Sequence, residues 1–217
     1  MEILCCPEGV LGGLADYAIG PTAIAIDVEG GQLDDVLAPL ASDTVTTILG
    51  FTEIVGSSRL YNSAAVLHKG SVIGLYRKVH PAIHRSVYQA GDEFPVFTIG
   101  DFTFGIIICL DSTYVEPART MASRGAAALF VPTNNGLPHA RAHTEVASEA
   151  RRADIVLATE NGTSAVRADV AGRTDDLMTC GSSGIVDRAG IVLQSAQPFS
   201  TGIIVADIDT APARLRV

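Results

Sequence analysis

Three short apolar runs in this sequence each end in a residue able to take part in covalent chemistry. Ile3-Leu4-Cys5-Cys6-Pro7 leads into Glu8, Val72-Ile73-Gly74-Leu75-Tyr76-Arg77 into Lys78, and Phe104-Gly105-Ile106-Ile107-Ile108 into Cys109. Burying an apolar run does not require such endings, whereas a carboxylate, an ammonium and a thiol together make chemical sense for thiol-dependent acyl transfer. A free thiol has a pKa of about 8.5 and is mostly protonated at neutral pH, so it needs a base or a nearby cation to become a nucleophile. In this reading Glu8 is the base and Lys78 the cation. When sulfur attacks a carbonyl or nitrile carbon, negative charge grows on oxygen or nitrogen, and Lys78 together with the Leu110 backbone N–H supplies donors for it. The only lysines are Lys69 and Lys78, and Lys69 falls in an expected exposed turn. Each residue alone has an ordinary explanation, since a cysteine at a strand end is more often a small buried hydrophobe. The case rests on the three together.

The elements that must position them alternate in type. Apolar, β-branched runs at Ile3–Cys6, Val45–Phe51, Ala64–Leu67, Val72–Leu75, Phe104–Leu110, Ala127–Val131, Ile155–Ala158, Gly184–Val186 and Ile203–Ile208 are expected strands. Gln32–Leu40, Tyr114–Ser123 and Ala140–Ala153 have the pattern of amphipathic helices. This alternation means a layered α/β fold. Lys69-Gly70 reads as a hairpin turn, so the sheet is mixed rather than purely parallel. In such folds sites gather beyond the carboxyl ends of strands, which is where Glu8, Lys78 and Cys109 fall. Asn134 and Asn135 follow another expected strand and are candidates for the substrate pocket, or plain turn residues.

The 217 residues fit one domain, 1–217, with no repeat or long linker dividing them. A net charge of −9 argues against nucleic acid or an anionic membrane surface as the main partner and leaves a small neutral or cationic molecule. No apolar run approaches the ~20 residues of a membrane helix. Cys5 and Cys6 are adjacent and no basic, apolar leader follows Met1, so reduced thiols in a cytoplasm are expected.

The segments around the trio resemble one known family. Cys6-Pro7-Glu8-Gly9, Leu60-Tyr61-Asn62-Ser63-Ala64, Tyr76-Arg77-Lys78-Val79-His80, Ala90–Phe97 and Ile108-Cys109-Leu110-Asp111 are similar, in order, to the nitrilase superfamily of carbon-nitrogen hydrolases. The resemblance continues through Ala126–Pro132, Glu149-Ala150-Arg151-Arg152 and Gly181–Asp187. It implies a four-layer αββα sandwich with mixed sheets. It also implies a Glu8–Lys78–Cys109 triad that cleaves non-peptide C–N bonds through a thioester, with no cofactor and no metal. A small amide is the expected substrate, with a nitrile or N-carbamoyl compound as alternatives. A homodimer is implied as well, because the helix after the cysteine commonly packs across a two-fold axis in this family.

The chain departs from the family pattern in three places. A strand and helix that members carry before the segment matching Ile3–Glu8 have no counterpart, so the chain is expected to be N-terminally short. The stretch Pro81–Tyr88, where many members have a second glutamate, holds no acid, and His84 falls near that place. Leu110 replaces an aromatic residue common after the cysteine, changing the pocket wall but keeping the backbone donor. A rival reading is therefore an inactive binding or scaffold protein on the same fold. Two further signals carry less weight. Gly181-Ser182-Ser183-Gly184 resembles a serine amidase signature without its upstream lysine and is read as a turn. His139 and His143 have the spacing of metal ligands on a helix but lack the glutamate of a zinc hydrolase, since Ala140 follows His139.

Overall fold

A computed structural model describes residues 2–139, 145–174 and 177–213. The chain divides into two compact units, residues 1–93 and 94–217.

In the first unit, β1 (Glu2–Cys5) runs parallel to β3 (Val45–Val55), as does the short β2 (Ile26–Asp27). β4 (Arg59–His68) and β5 (Ser71–Arg77) continue antiparallel, giving the order β1-β3-β4-β5 with β2 off the path. The hairpin forms at the expected place: Lys69 and Gly70 both have positive φ, 48° and 77°, as a two-residue turn between twisted strands requires. Helix α1 (Gln32–Leu37) covers one sheet face, Leu33 and Leu37 packing with Leu49 and Phe51 of β3 and Ala65 and Leu67 of β4. These positions alternate along each strand, so the residues between them belong to the opposite face. That face is buried too, for β3 is closed to solvent along nearly its whole length.

Strand parity sorts the charged residues at the end of β5. Arg77 belongs with the odd-numbered side, where its guanidinium holds Glu53 by two bonds of 2.9 and 2.6 Å and lies 4.5 Å from the Tyr61 ring centroid. Ser63 donates to the same carboxylate at 2.6 Å. Lys78, one residue on, belongs with the other side. A one-residue slip of β5 would exchange them, and the Arg77–Glu53 clamp resists that slip.

In the second unit, β6 (Val96–Ile99), β7 (Phe102–Ile106), β8 (Ala128–Thr133), β10 (Ser164–Asp169), β13 (Gly184–Val186) and β14 (Val192–Ser195) form a six-stranded mixed sheet. Its order is β14-β13-β10-β8-β7-β6. β7, β8 and β10 are parallel, joined through α2 (Val115–Ser123) and α3 (Glu145–Asn161), as crossovers between parallel strands require. A smaller antiparallel sheet joins β9 (Leu137–Pro138), β11 (Ala171–Arg173) and β12 (Leu177–Cys180).

Two expected strands are absent. Ile155–Ala158 lies inside α3, because Asp154, Leu157, Ala158 and Asn161 are buried at a helical spacing while Val156 is exposed. The expected helix Ala140–Ala153 is represented by the start of α3, and residues 140–144, His143 among them, lie outside the described residues. Ile203–Ile208 forms no strand, and Ile203 and Val205 stand 79% and 75% exposed. Among the described residues it pairs with no strand, and β-propensity alone does not make one.

Candidate active site

Glu8 follows β1 on a loop drawn tightly against β3. Gly50, in the middle of that strand, permits the approach: a Cβ there would lie 2.6 Å from the Gly9 nitrogen, 2.7 Å from the Pro7 oxygen and 2.8 Å from the Glu8 Cα. The Glu8 carboxylate accepts from Lys78 Nζ at 2.6 Å and from Asn62 Nδ2 at 2.7 Å, both to Oε1. Glu8 is 2% exposed and Lys78 3%. The Lys78 backbone N–H donates to the Asn62 carbonyl at 2.8 Å, fixing the end of β5 beside β4. An ion pair this buried pays heavily in desolvation and is poor evidence of a stabilising role, and buried pairs of this kind are candidates for chemistry.

Cys109 stands at the end of the chain leaving β7, where Cys109–Thr113 forms a 3-10 turn before α2. Its backbone φ is +47°, in the left-handed region that side-chain-bearing residues seldom occupy. The turn is tied on several sides. Asp111, fully buried, accepts from the Ile108 N–H at 3.2 Å and donates its own N–H to the Ile108 carbonyl at 3.0 Å. Ser112 Oγ donates to the Cys109 carbonyl at 2.6 Å and accepts from Arg167 at 3.1 Å. Arg167, on β10, is itself clamped by Asp154 of α3 at 2.6 and 2.9 Å and donates to Thr133 Oγ1 at 2.8 Å. Burial opposes the charge on Arg167, but Asp154 and, more weakly, Cys109 and Asp169 outweigh it and raise the guanidinium pKa above its ordinary value. Burial pushes the thiols of Cys6 and Cys180 up, as expected of cysteines that serve as small hydrophobes.

The Cys109 sulfur lies 3.7 Å from Asn135 Oδ1. Asn135 follows β8 and is held by Asp169, which accepts its backbone N–H at 3.1 Å and its side-chain amide at 3.2 Å. Asp169 also accepts the N–H and hydroxyl of Ser182 at 2.9 and 2.7 Å. The Ser182–Ser183 segment is held in turn by Arg151 of α3, which donates to both carbonyls at 3.0 and 2.9 Å. Gly184 leaves room beside it, because a Cβ there would meet the Arg151 guanidinium in its present position.

Of the residues expected from sequence, Glu8 and Lys78 are therefore bonded to each other, and Cys109 meets Asn135. Leu110 is half-buried in the turn beside Cys109, Asn134 is half-buried, and His84 is exposed. His139 bonds the Thr174 carbonyl at 3.1 Å. Asn62, Asp169, Ser182, Arg167 and Asp154 carry much of the positioning; in the sequence Asn62 and Ser182 stood out only within longer motifs, Ser182 in one read as a turn, and the other three not at all. For Asn62, Arg167, Asp169 and Asp154 the one signal is a polar side chain at a buried position of a strand or helix.

The family model for carbon-nitrogen hydrolases matches residues 1–215. The chain belongs to the carbon-nitrogen hydrolase family. A nitrilase from Pyrococcus abyssi is 33% identical over 188 residues, 86% of this chain and 68% of its own length. An (R)-stereoselective amidase from a Pseudomonas species is 30% identical over 219 residues, covering 99% and 76% respectively. The structure of a carbon-nitrogen hydrolase from Helicobacter pylori G27 superposes with a TM-score of 0.84 at 23% identity, covering 97% of this chain and 78% of that one. The α/β fold with mixed sheets expected from the sequence is thus the fold of this carbon-nitrogen hydrolase, and the chain is an enzyme of the amidase and nitrilase type.

Proposed function

We propose that this carbon-nitrogen hydrolase cleaves small amides through a thioester on Cys109, with Glu8 as general base and acid and Lys78 as stabiliser of the developing oxyanion. The buried Glu8–Lys78 pair carries the reading. It joins a carboxylate to one of only two lysines in the chain, at 2.6 Å, in a family of carbon-nitrogen hydrolases. Glu8 takes the thiol proton as Cys109 attacks the carbonyl carbon. Lys78 and the Leu110 N–H stabilise the tetrahedral oxyanion. Glu8 then returns the proton to the departing ammonia, the C–N bond breaks, and water activated by the same carboxylate hydrolyses the thioester. Leu110, Asn134 and Asn135 line the substrate, with His84 in place of a second acid.

The working unit is taken as the whole chain, 1–217, because one family model spans 1–215. We also propose a homodimer through α2, whose first residue Val115 is 58% exposed, acting in the cytoplasm, where its four thiols stay reduced.

Ammonia release from a panel of short amides, with intact-mass detection of the acyl adduct, tests the reading. Cys109→Ala should lose the adduct and cut turnover on the order of 10⁴-fold or more. No turnover and no adduct on the unmodified protein across the panel would favour the inactive scaffold instead.

A further inference from the structure

A carboxylate cannot donate a hydrogen bond, and this settles which way the Asn135 amide points. Asp169 Oδ2 lies 3.2 Å from one end of that amide, so this end is the nitrogen, which is also 3.3 Å from Ser182 Oγ. The other end, facing Cys109 Sγ at 3.7 Å, is therefore oxygen. Asp169 cannot swing away to release it, since the same carboxylate holds the Asn135 backbone N–H and both the N–H and hydroxyl of Ser182. Its own backbone N–H is fixed to Ser183 Oγ at 2.9 Å. The nucleophile thus has beside it a hydrogen-bond acceptor that cannot rotate into a donor.

We propose that Asn135, locked by Asp169 and Ser182, reads an N–H on the group attacked by Cys109, so that the site selects carboxamides and ureas over nitriles. The choice of substrate class rests on the thiol-hydrolase reading above. In the resting protein Oδ1 accepts the S–H of Cys109. Once the thiol proton has gone to the base, that lone pair is left for the substrate. An amide or N-carbamoyl –NH2 fills it, whereas a nitrile has no proton to offer and leaves a fixed polar group unpaired. A site built around a hydrogen bond discriminates strongly against the analogue that lacks it, because the protein group stays desolvated and unsatisfied. Asp169 is a positioning residue here: it touches the reaction only through Asn135.

Paired electrophiles test this without requiring turnover. Chloroacetamide and chloroacetonitrile both alkylate a thiol, forming S–C and releasing chloride, and differ in the presence of N–H. The rate of each at Cys109 is followed by peptide-resolved mass spectrometry, because Cys5, Cys6 and Cys180 are also thiols. The amide-to-nitrile ratio is then divided by the same ratio for glutathione. The unmodified protein should give a normalised ratio of about five to ten, the worth of one hydrogen bond. Asn135→Leu should bring it to about one. The near-isosteric Asp169→Asn, which lets the amide turn over, should do the same. A ratio near one in the unmodified protein, or a preference that survives Asn135→Leu, overturns the inference. Failure of the hydrolase reading has a separate signature, no ammonia from any amide, and the labelling ratio still decides the role of Asn135.

Discussion

Asn62 touches the carboxylate that the proposed mechanism uses as its base. Its amide donates to Glu8 Oε1 at 2.7 Å, while its own Oδ1 is buried and finds no partner among the described residues. An orphaned buried acceptor costs stability, and it is kept here beside the Glu8–Lys78 pair. Asn62→Leu should therefore be mild for folding yet slow amide hydrolysis by about ten- to a hundredfold, the worth of a hydrogen bond to a charged group. Comparing kcat/KM with the melting curve checks this, and equal damage to both would make Asn62 merely structural. Glu8 and Lys78 were legible in the sequence because a charged residue closing an apolar run stands out. Asn62 was not, because a polar residue within a strand ordinarily means an outward-facing position, and both faces of β3 and β4 are buried here. Asp169 and Arg167 escaped for the same reason, lying in the alternating strand Ser164–Asp169.

At the level of elements, the hairpin of β4 and β5 and the strand β3 came through with their cores correctly placed, since local turn chemistry and continuous burial agree there. The error at Ile155–Ala158 came from judging four apolar residues apart from their surroundings. The period that decided the matter runs from Asp154 to Asn161. Ile203–Ile208 failed for a different reason, because pairing is a property of two segments and a sequence displays only one at a time. The least visible element feature is the space at Gly50 that lets the Glu8 loop close on β3. Gly50→Ala should push Pro7–Gly9 outward while β3 and β4 remain paired. A displacement of even ~1 Å at a reacting group can cost about a hundredfold in rate, with a stability loss of about 1–3 kcal/mol from overpacking. Amide turnover beside thermal unfolding separates these effects, and full activity would show that the loop accommodates the methyl group.

On the scale of the whole molecule, each unit is built on sheets of its own, one in residues 1–93 and two in residues 94–217. Among the described residues no helix is long and apolar enough to cross a membrane. The start of α2 leaves Tyr114 and Val115 exposed at 45% and 58%, the apolar surface that the proposed two-fold contact would cover. Light scattering should give twice the 22.6 kDa chain mass. Val115→Asp, which sets two like charges near a two-fold axis, should return the mass to that of one chain. A monomer before substitution would remove the dimer from the account.

The backbone at position 109 would suit a residue with no side chain at all, for glycine enters that conformation at little cost. Glycine, however, brings no sulfur. Selection for endurance alone would therefore drift toward erasing the proposed nucleophile, and an engineer who ranks variants by heat tolerance should expect the most comfortable replacement at this position to be one that lacks its thiol.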